Sequence, residues 1–272
     1  MPRAPGEQAT LAWFLVASFL LNFGQGVYPP LLPELVGALG LSLAAAGFLG
    51  TAFSLPRSLL ALPAGMVVER LGPIRMMHAG MALVLGGTLM TAVAASLGTM
   101  ALARALVGLG YGTTAMIGIV YLMQAGPAHQ RTRRGNMYEG ALITANAVSG
   151  YLAGAVTAHA GWRWGFGAAA VAVATGWAAA AWRVFPAIRL AFEEVSRSTA
   201  TTAEGDRGTP EPSSPESRLA ILSIYLVVFG LSFVWAGAIT TLGPLYGGQA
   251  LGLSASSIGR ALAIGYVVRP SC

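Results

Sequence analysis

Apolar positions in this chain come in long unbroken runs, without period-2 alternation. Runs of about 20 to 25 residues occupy 11–35, 43–68, 74–96, 99–124, 137–159, 164–185 and 219–246, and an eighth starts near Ser254. At about 1.5 Å of rise per residue, each is long enough to cross roughly 30 Å of hydrocarbon. Backbone polar groups in lipid are satisfied only by helices or closed barrels, and continuous runs of this length select helices. The pattern therefore predicts an all-α, polytopic transmembrane helix bundle. The first run follows Arg3 and could be mistaken for a signal peptide. It continues through GQGVYPPLLP with no small-x-small cleavage pattern, so it reads as an uncleaved first helix.

The polar interruptions carry the topology. Arg3, Arg70, Arg75, Arg131, Arg133, Arg134 and Arg183 fall on one side of the membrane for the first six helices, and Arg163 alone falls on the other. Basic loops stay inside, so the N-terminus is expected to be cytoplasmic, in the inner or plasma membrane. From 186 to 217 the apolar pattern gives way to Pro, Ser, Thr and acidic residues, which predicts a mostly flexible cytoplasmic linker. Three units follow: a six-helix half over 1–185, the linker over 186–217, and a partial second half over 218–272.

Composition agrees with this reading and removes rivals. Hydrophobic residues make up 55% of the 272 residues and charged residues 10%, against about 25% charged in soluble domains. The net charge is +6 and every basic residue is Arg. These arginines are scattered between apolar runs instead of gathered on one face, which fits topology signals and a bilayer partner, not nucleic acid. The one cysteine, Cys272, excludes an intrachain disulfide. His78, His129 and His159 sit far apart near helix ends without ligand spacing, so no metal is expected. No phosphate-binding Gly-Lys-Ser/Thr loop and no hydrolase set of Ser, His and acid is present, and no cofactor is expected.

An internal repeat organises the whole. LGLSLAAAGFLGTAFSLPR, from Leu39 to Arg57, aligns without a gap to LGLSASSIGRALAIGYVVR, from Leu251 to Arg269, at a constant offset of 212 positions. Ser42 matches Ser254, Gly47 matches Gly259 and Arg57 matches Arg269. The eighth helix is thus the second helix again, and a repeat of six helices enters the membrane in the same orientation each time. A complete second half would carry the chain to roughly 400 residues. With Cys272 following Arg269 by three positions, the eighth helix is expected to be incomplete.

GMVVERLGPIR, from Gly65 to Arg75, resembles the loop signature of the major facilitator superfamily between its second and third helices, with Gly65, Glu69, Arg70, Gly72 and Arg75 matching. Glu69 stands where Asp is more usual, and Pro73-Ile74 leave one basic residue where two are common. RALVGLGYG, Arg104 to Gly112, is similar to the family's intramembrane Arg followed by glycines, and RRG at Arg133 and GWRWGF at Gly161 are similar to its loops before the fifth and sixth helices. The resemblance covers the first half in order. It implies a secondary active transporter whose halves rock about a central site, coupled to an ion gradient that is most often of protons. It further implies that Glu69 caps or pairs with a helix of the second half, forming a conformational latch with its neighbours. Drug antiporters of the family usually carry Gly-Pro in the fifth helix; here Gly150 is followed by Tyr151, which counts against drug antiport.

Four helix faces gather small and polar residues at three- and four-residue steps. They are Ser18, Asn22, Gln25, Gly26, Pro29 and Pro33; Gly47, Gly50, Ser54, Arg57 and Ser58; Arg104, Gly108, Tyr111 and Ala115; and Glu139, Asn146, Gly150 and Thr157. A central polar cavity would use such faces, and so would close helix packing, the commoner role of Gly and Ala. Arg57 and Arg104 favour the cavity, because packing alone does not require a charge at that depth. Asn22, Gln25, Glu34, Arg57, Arg104, Tyr111, Glu139 and Asn146 are the candidates to meet a small-molecule substrate or a coupling proton. A non-transporting remnant or scaffold of the same family is the alternative.

Overall fold

The computed structural model describes residues 5–61, 64–124, 128–193, 235–267 and the single positions 223, 226, 227 and 230. Every regular element among them is helical. The first membrane span is one broken helix: α1 (Pro5–Leu21), α2 (Phe23–Gly26) and α3 (Tyr28–Leu39). The breaks fall at Asn22 and Val27, and Pro29, Pro30 and Pro33 supply no backbone N–H to the ladder around them. Next come α4 (Leu43–Ala61), α5 (Ala64–Leu71), α6 (Pro73–Val93), α7 (Leu97–Gln124), α8 (Arg131–Ala160) and α9 (Trp162–Ala179). Six helical runs among the described residues are long and apolar enough to cross a bilayer, the last from Trp162 to Glu193. Val93, Leu59 and Val171 are more than half exposed on the outside of the bundle, where hydrocarbon would cover them. The chain is a multi-pass membrane protein.

The last span departs from the sequence reading. Helix continues to 193, eight residues into the stretch expected to be linker. A π-helical turn over Ala180–Val184, in which the Phe185 N–H donates to the Ala180 carbonyl, widens the helix just before Pro186. Such a turn lets a proline ring enter without ending the helix. Ile188 beyond it is fully buried and anchors the extension.

Glycine decides how closely the helices cross. A Cβ at Gly87 of α6 would lie 2.7 Å from the Ala103 carbonyl oxygen, one at Gly80 would lie 3.1 Å from the Gly110 oxygen, and one at Gly108 of α7 would collide with the Phe53 carbonyl of α4. Without a hydrophobic driving force between helices in lipid, such backbone contacts hold the bundle together. Hydroxyls on the same helices donate internally, Thr88 to the Val84 carbonyl at 2.7 Å and Thr114 to Gly110 at 3.0 Å, so they enter an apolar core satisfied.

The described part of the second half packs on the first. A π-helical segment (Trp235–Leu242) leads into α10 (Gly243–Gln249), and α11 (Ala255–Val267) lies along α8. There a Cβ at Gly154 would be 2.6 Å from Ser256 Cα, and one at Gly259 would be 2.5 Å from the Gly150 oxygen. The repeat is visible in backbone geometry. Gly40 and Gly252 precede α4 and α11 with φ of 61° and 63°. Ser42 Oγ accepts from the Ala45 N–H at 3.2 Å, and Ser254 Oγ from the Ser257 N–H at 3.3 Å, each capping its helix. All these pairs keep the offset of 212. Arg269 lies outside the described residues.

Candidate functional site

The buried apolar residues form two clusters stacked along the bundle. One includes Phe14, Leu21, Tyr111, Tyr138 and Val184; the other includes Val27, Leu31, Leu49, Trp162 and Phe166. Along the first span the clusters part between Leu21 and Val27, where the helix breaks. Polar side chains meet at this waist.

Asn22, 1% exposed, occupies the first break and reaches α8: its Nδ2 donates to Asn146 Oδ1 at 2.8 Å and to the Leu142 carbonyl at 2.9 Å. The Tyr111 hydroxyl of α7 donates to Asn22 Oδ1. One amide thus uses both its donor and acceptor ends to tie three helices at mid-depth. Gly24 and Gly26 bring the segment close enough, since a Cβ at Gly24 would press on Thr88 and Val84 of α6, and one at Gly26 on Asn146 and Ser149 of α8.

Arg57 and Glu139 border this node. The Arg57 stem lies against Gly112, its guanidinium stands 5.3 Å from the centre of the Tyr111 ring, and the residue is exposed. Glu139 is exposed on α8 beside buried Tyr138, and both charges lie near enough to Tyr111 and Tyr138 to interact with them. A mostly apolar pocket, lined by Phe14, Leu21, Met77, Met81 and Val184 with Ser18, Thr114 and the two phenols as its polar side chains, adjoins Tyr111. Of the node, only Tyr111 lines this pocket; the amides are closed on one another, and Arg57 and Glu139 are the exposed charges beside the two phenols.

The other candidates sit elsewhere. Arg104 is 4% exposed, with its guanidinium 3.7 Å from the Tyr28 ring centre and 4.6 Å from that of Phe53. Two aromatic faces therefore stabilise a cation away from the pocket, clamping α3, α4 and α7. Its Nε, the Tyr28 hydroxyl and Gln25 Oε1 are buried without hydrogen-bond partners among the described residues. Glu34 is half-buried on α3, twelve residues and so about 18 Å of helix from Asn22. Of the loop signature, Gly65 and Glu69 lie on α5, and the side chain of Glu69 is outside the described residues; Arg70 and Arg75 are exposed. Gly72 has φ of 78°, a conformation that favours glycine, and it turns the chain into α6. Tyr28, Phe53 and Ser149 escaped the sequence reading. Ser149 follows Asn146 by three positions, a spacing that marks it as a neighbour on the same face; nothing in the sequence marks Tyr28 and Phe53 as the cover of a cation.

Residues 14–269 match the Major Facilitator Superfamily. No curated protein matches the chain. Among solved structures, a bacterial homologue of the human lysosomal transporter Spinster, inward-facing and unoccupied, is similar over 98% of this chain with a TM-score of 0.65 and 18% identity. A mutant of the peptide transporter POT in complex with alafosfalin is similar over 82% of it, with a TM-score of 0.54 and 18% identity. The chain spans 61% of the length of the first and 46% of the second. At that identity the likeness concerns the fold, and the fold agrees with the family match: the chain belongs to the Major Facilitator Superfamily.

Proposed function

We propose that this protein moves a small polar solute across the membrane by alternating access, as a secondary active transporter with protons as the coupling ion. The observation that carries the reading is the Asn22–Tyr111–Asn146 node at the break of the first span, bordered by Arg57 and Glu139. Broken helices at mid-membrane are tolerated where they line a cavity, and transporters of this kind bind substrate there. In this proposal Asn22, Asn146 and Tyr111 orient the solute, Arg57 meets its anionic or dipolar end, and Glu139 exchanges the proton. Arg104 is a positioning residue, holding three helices in register by its aromatic clamp. Glu69, Arg70 and Arg75 latch the halves on the cytoplasmic side, with the N-terminus inside. The GYLAG stretch of α8 reads as a packing surface, because Gly150 and Gly154 meet α11.

The test is a flux screen in everted and right-side-out vesicles from cells expressing the gene, with Arg57→Ala and Glu139→Gln as paired controls. A solute moved by a proton gradient in the parent and in neither variant supports the reading. Equal flux in all three removes these residues from the site.

A further inference from the structure

The sixth span begins on one Trp-Arg pair, Trp162-Arg163, and carries a second, Trp182-Arg183, twenty residues on, before the helix runs on to 193. At about 1.5 Å per residue that spacing is roughly 30 Å, the thickness of the hydrocarbon layer, so the pairs mark its two boundaries. The two arginines are held differently. Arg163 stacks 4.5 Å from the Trp162 ring centre and its Nη2 donates to the Ala94 carbonyl at 3.2 Å, so the protein occupies it. Arg183 stands 4.0 Å from the Trp182 ring centre and 5.8 Å from that of Trp13 on α1. Among the described residues it makes no ion pair and no hydrogen bond, and it lies exposed on the π-helical turn.

From this contrast we propose that Arg183, Trp182 and Trp13 form a binding site for the phosphate of an anionic phospholipid in the leaflet where α1 begins. A guanidinium presents five N–H donors in a plane that fits phosphate oxygens. Packing between two indoles fixes that plane and removes part of the entropy lost on binding. Trp182 is 68% exposed and Trp13 36%, so acyl chains can lie against both rings while the headgroup reaches the cation. The site discriminates by charge. Its aromatic faces already hold one cation, which repels the ammonium of a choline headgroup and leaves phosphatidylglycerol preferred. The π turn packs on α1 and brings Arg183 to Trp13, while Trp182 stays exposed and Val184 and Phe185 are buried.

The experiment is native mass spectrometry of the full chain released from vesicles of equal phosphatidylglycerol and phosphatidylcholine. One basic side chain at an anionic surface is worth a preference of about fivefold, so the parent should retain phosphatidylglycerol over phosphatidylcholine by about that factor. Arg183→Gln should bring the ratio close to one, and Trp182→Leu should lower it with the charge intact. Arg189→Gln, at an exposed arginine already paired with Glu193 at 3.2 Å, should leave it unchanged. Equal retention of the two lipids by the parent, or an unchanged preference in Arg183→Gln, would overturn the proposal. A loss in Arg189→Gln equal to that in Arg183→Gln would do so too, by showing a diffuse basic surface instead of a site.

Discussion

At the residue scale, Asn22 is the side chain on which most depends. It donates twice and accepts once within an apolar bundle. Alanine there leaves Asn146 Oδ1 and the Tyr111 hydroxyl without this partner, while the Leu142 carbonyl keeps its place in the α8 ladder. Burying unsatisfied partners costs roughly 1–3 kcal/mol, so Asn22→Ala should lower the thermal unfolding midpoint in detergent clearly. The double variant with Asn146→Ala should be less destabilised than the two singles summed, since they share one bond. Additive losses would show that the amides act independently. Asn22, Tyr111 and Asn146 were legible in the sequence because a polar side chain in an apolar helix needs a polar partner. Their pairing with one another was not, since it depends on how three helices cross. Arg57 and Arg104 show the same limit. Both are lone arginines on small-residue faces, yet one is exposed beside the Tyr111 ring and the other is sealed under Tyr28 and Phe53.

At the scale of elements, the glycines divide into two groups that composition cannot separate. Gly110 has the backbone of Gly80 and Val84 against it, whereas Gly86, on the same α6 as Gly80, has no neighbour within 4 Å of a Cβ. Gly110→Val should therefore abolish recovery of folded protein by size-exclusion chromatography. Gly86→Ala should be neutral or raise stability by up to about 1 kcal/mol, because alanine lowers the entropy lost on forming a helix. Instability of Gly86→Ala would indicate a packing contact at that face. The helix extents followed from the apolar runs, but their ends did not. Gly40, at positive φ, closes α3 four residues beyond its apolar run, whereas Gly161, also at positive φ, closes α8 one residue beyond its own. Past Pro186 the helix persists because the π turn absorbs the proline and Ile188 finds a buried site.

For the whole molecule, the start of the repeat is legible in sequence and structure alike, while the Arg269 half of its Arg57–Arg269 match lies outside the described residues. LGLS predicts a helix start, and both copies begin α4 and α11 at the same offset with the same glycine conformation and the same serine cap. The arginine asymmetry predicts an orientation with the N-terminus inside. In a Cys272→Ser background, single cysteines at Ser42 and Thr132, both exposed, should react with an impermeant maleimide from outside and from inside cells respectively. Labelling of both from outside would contradict a cytoplasmic N-terminus. If the Asn22 node borders the solute pathway, as proposed, that pathway is reached in turn from the two sides, and Arg57 is the place to measure it. Arg57→Cys in the same background should react with impermeant maleimide in both right-side-out and everted vesicles, faster than Arg104→Cys in either. Reaction of Arg57→Cys from neither side, or no faster than that of a cysteine at lipid-facing Leu55, would contradict it.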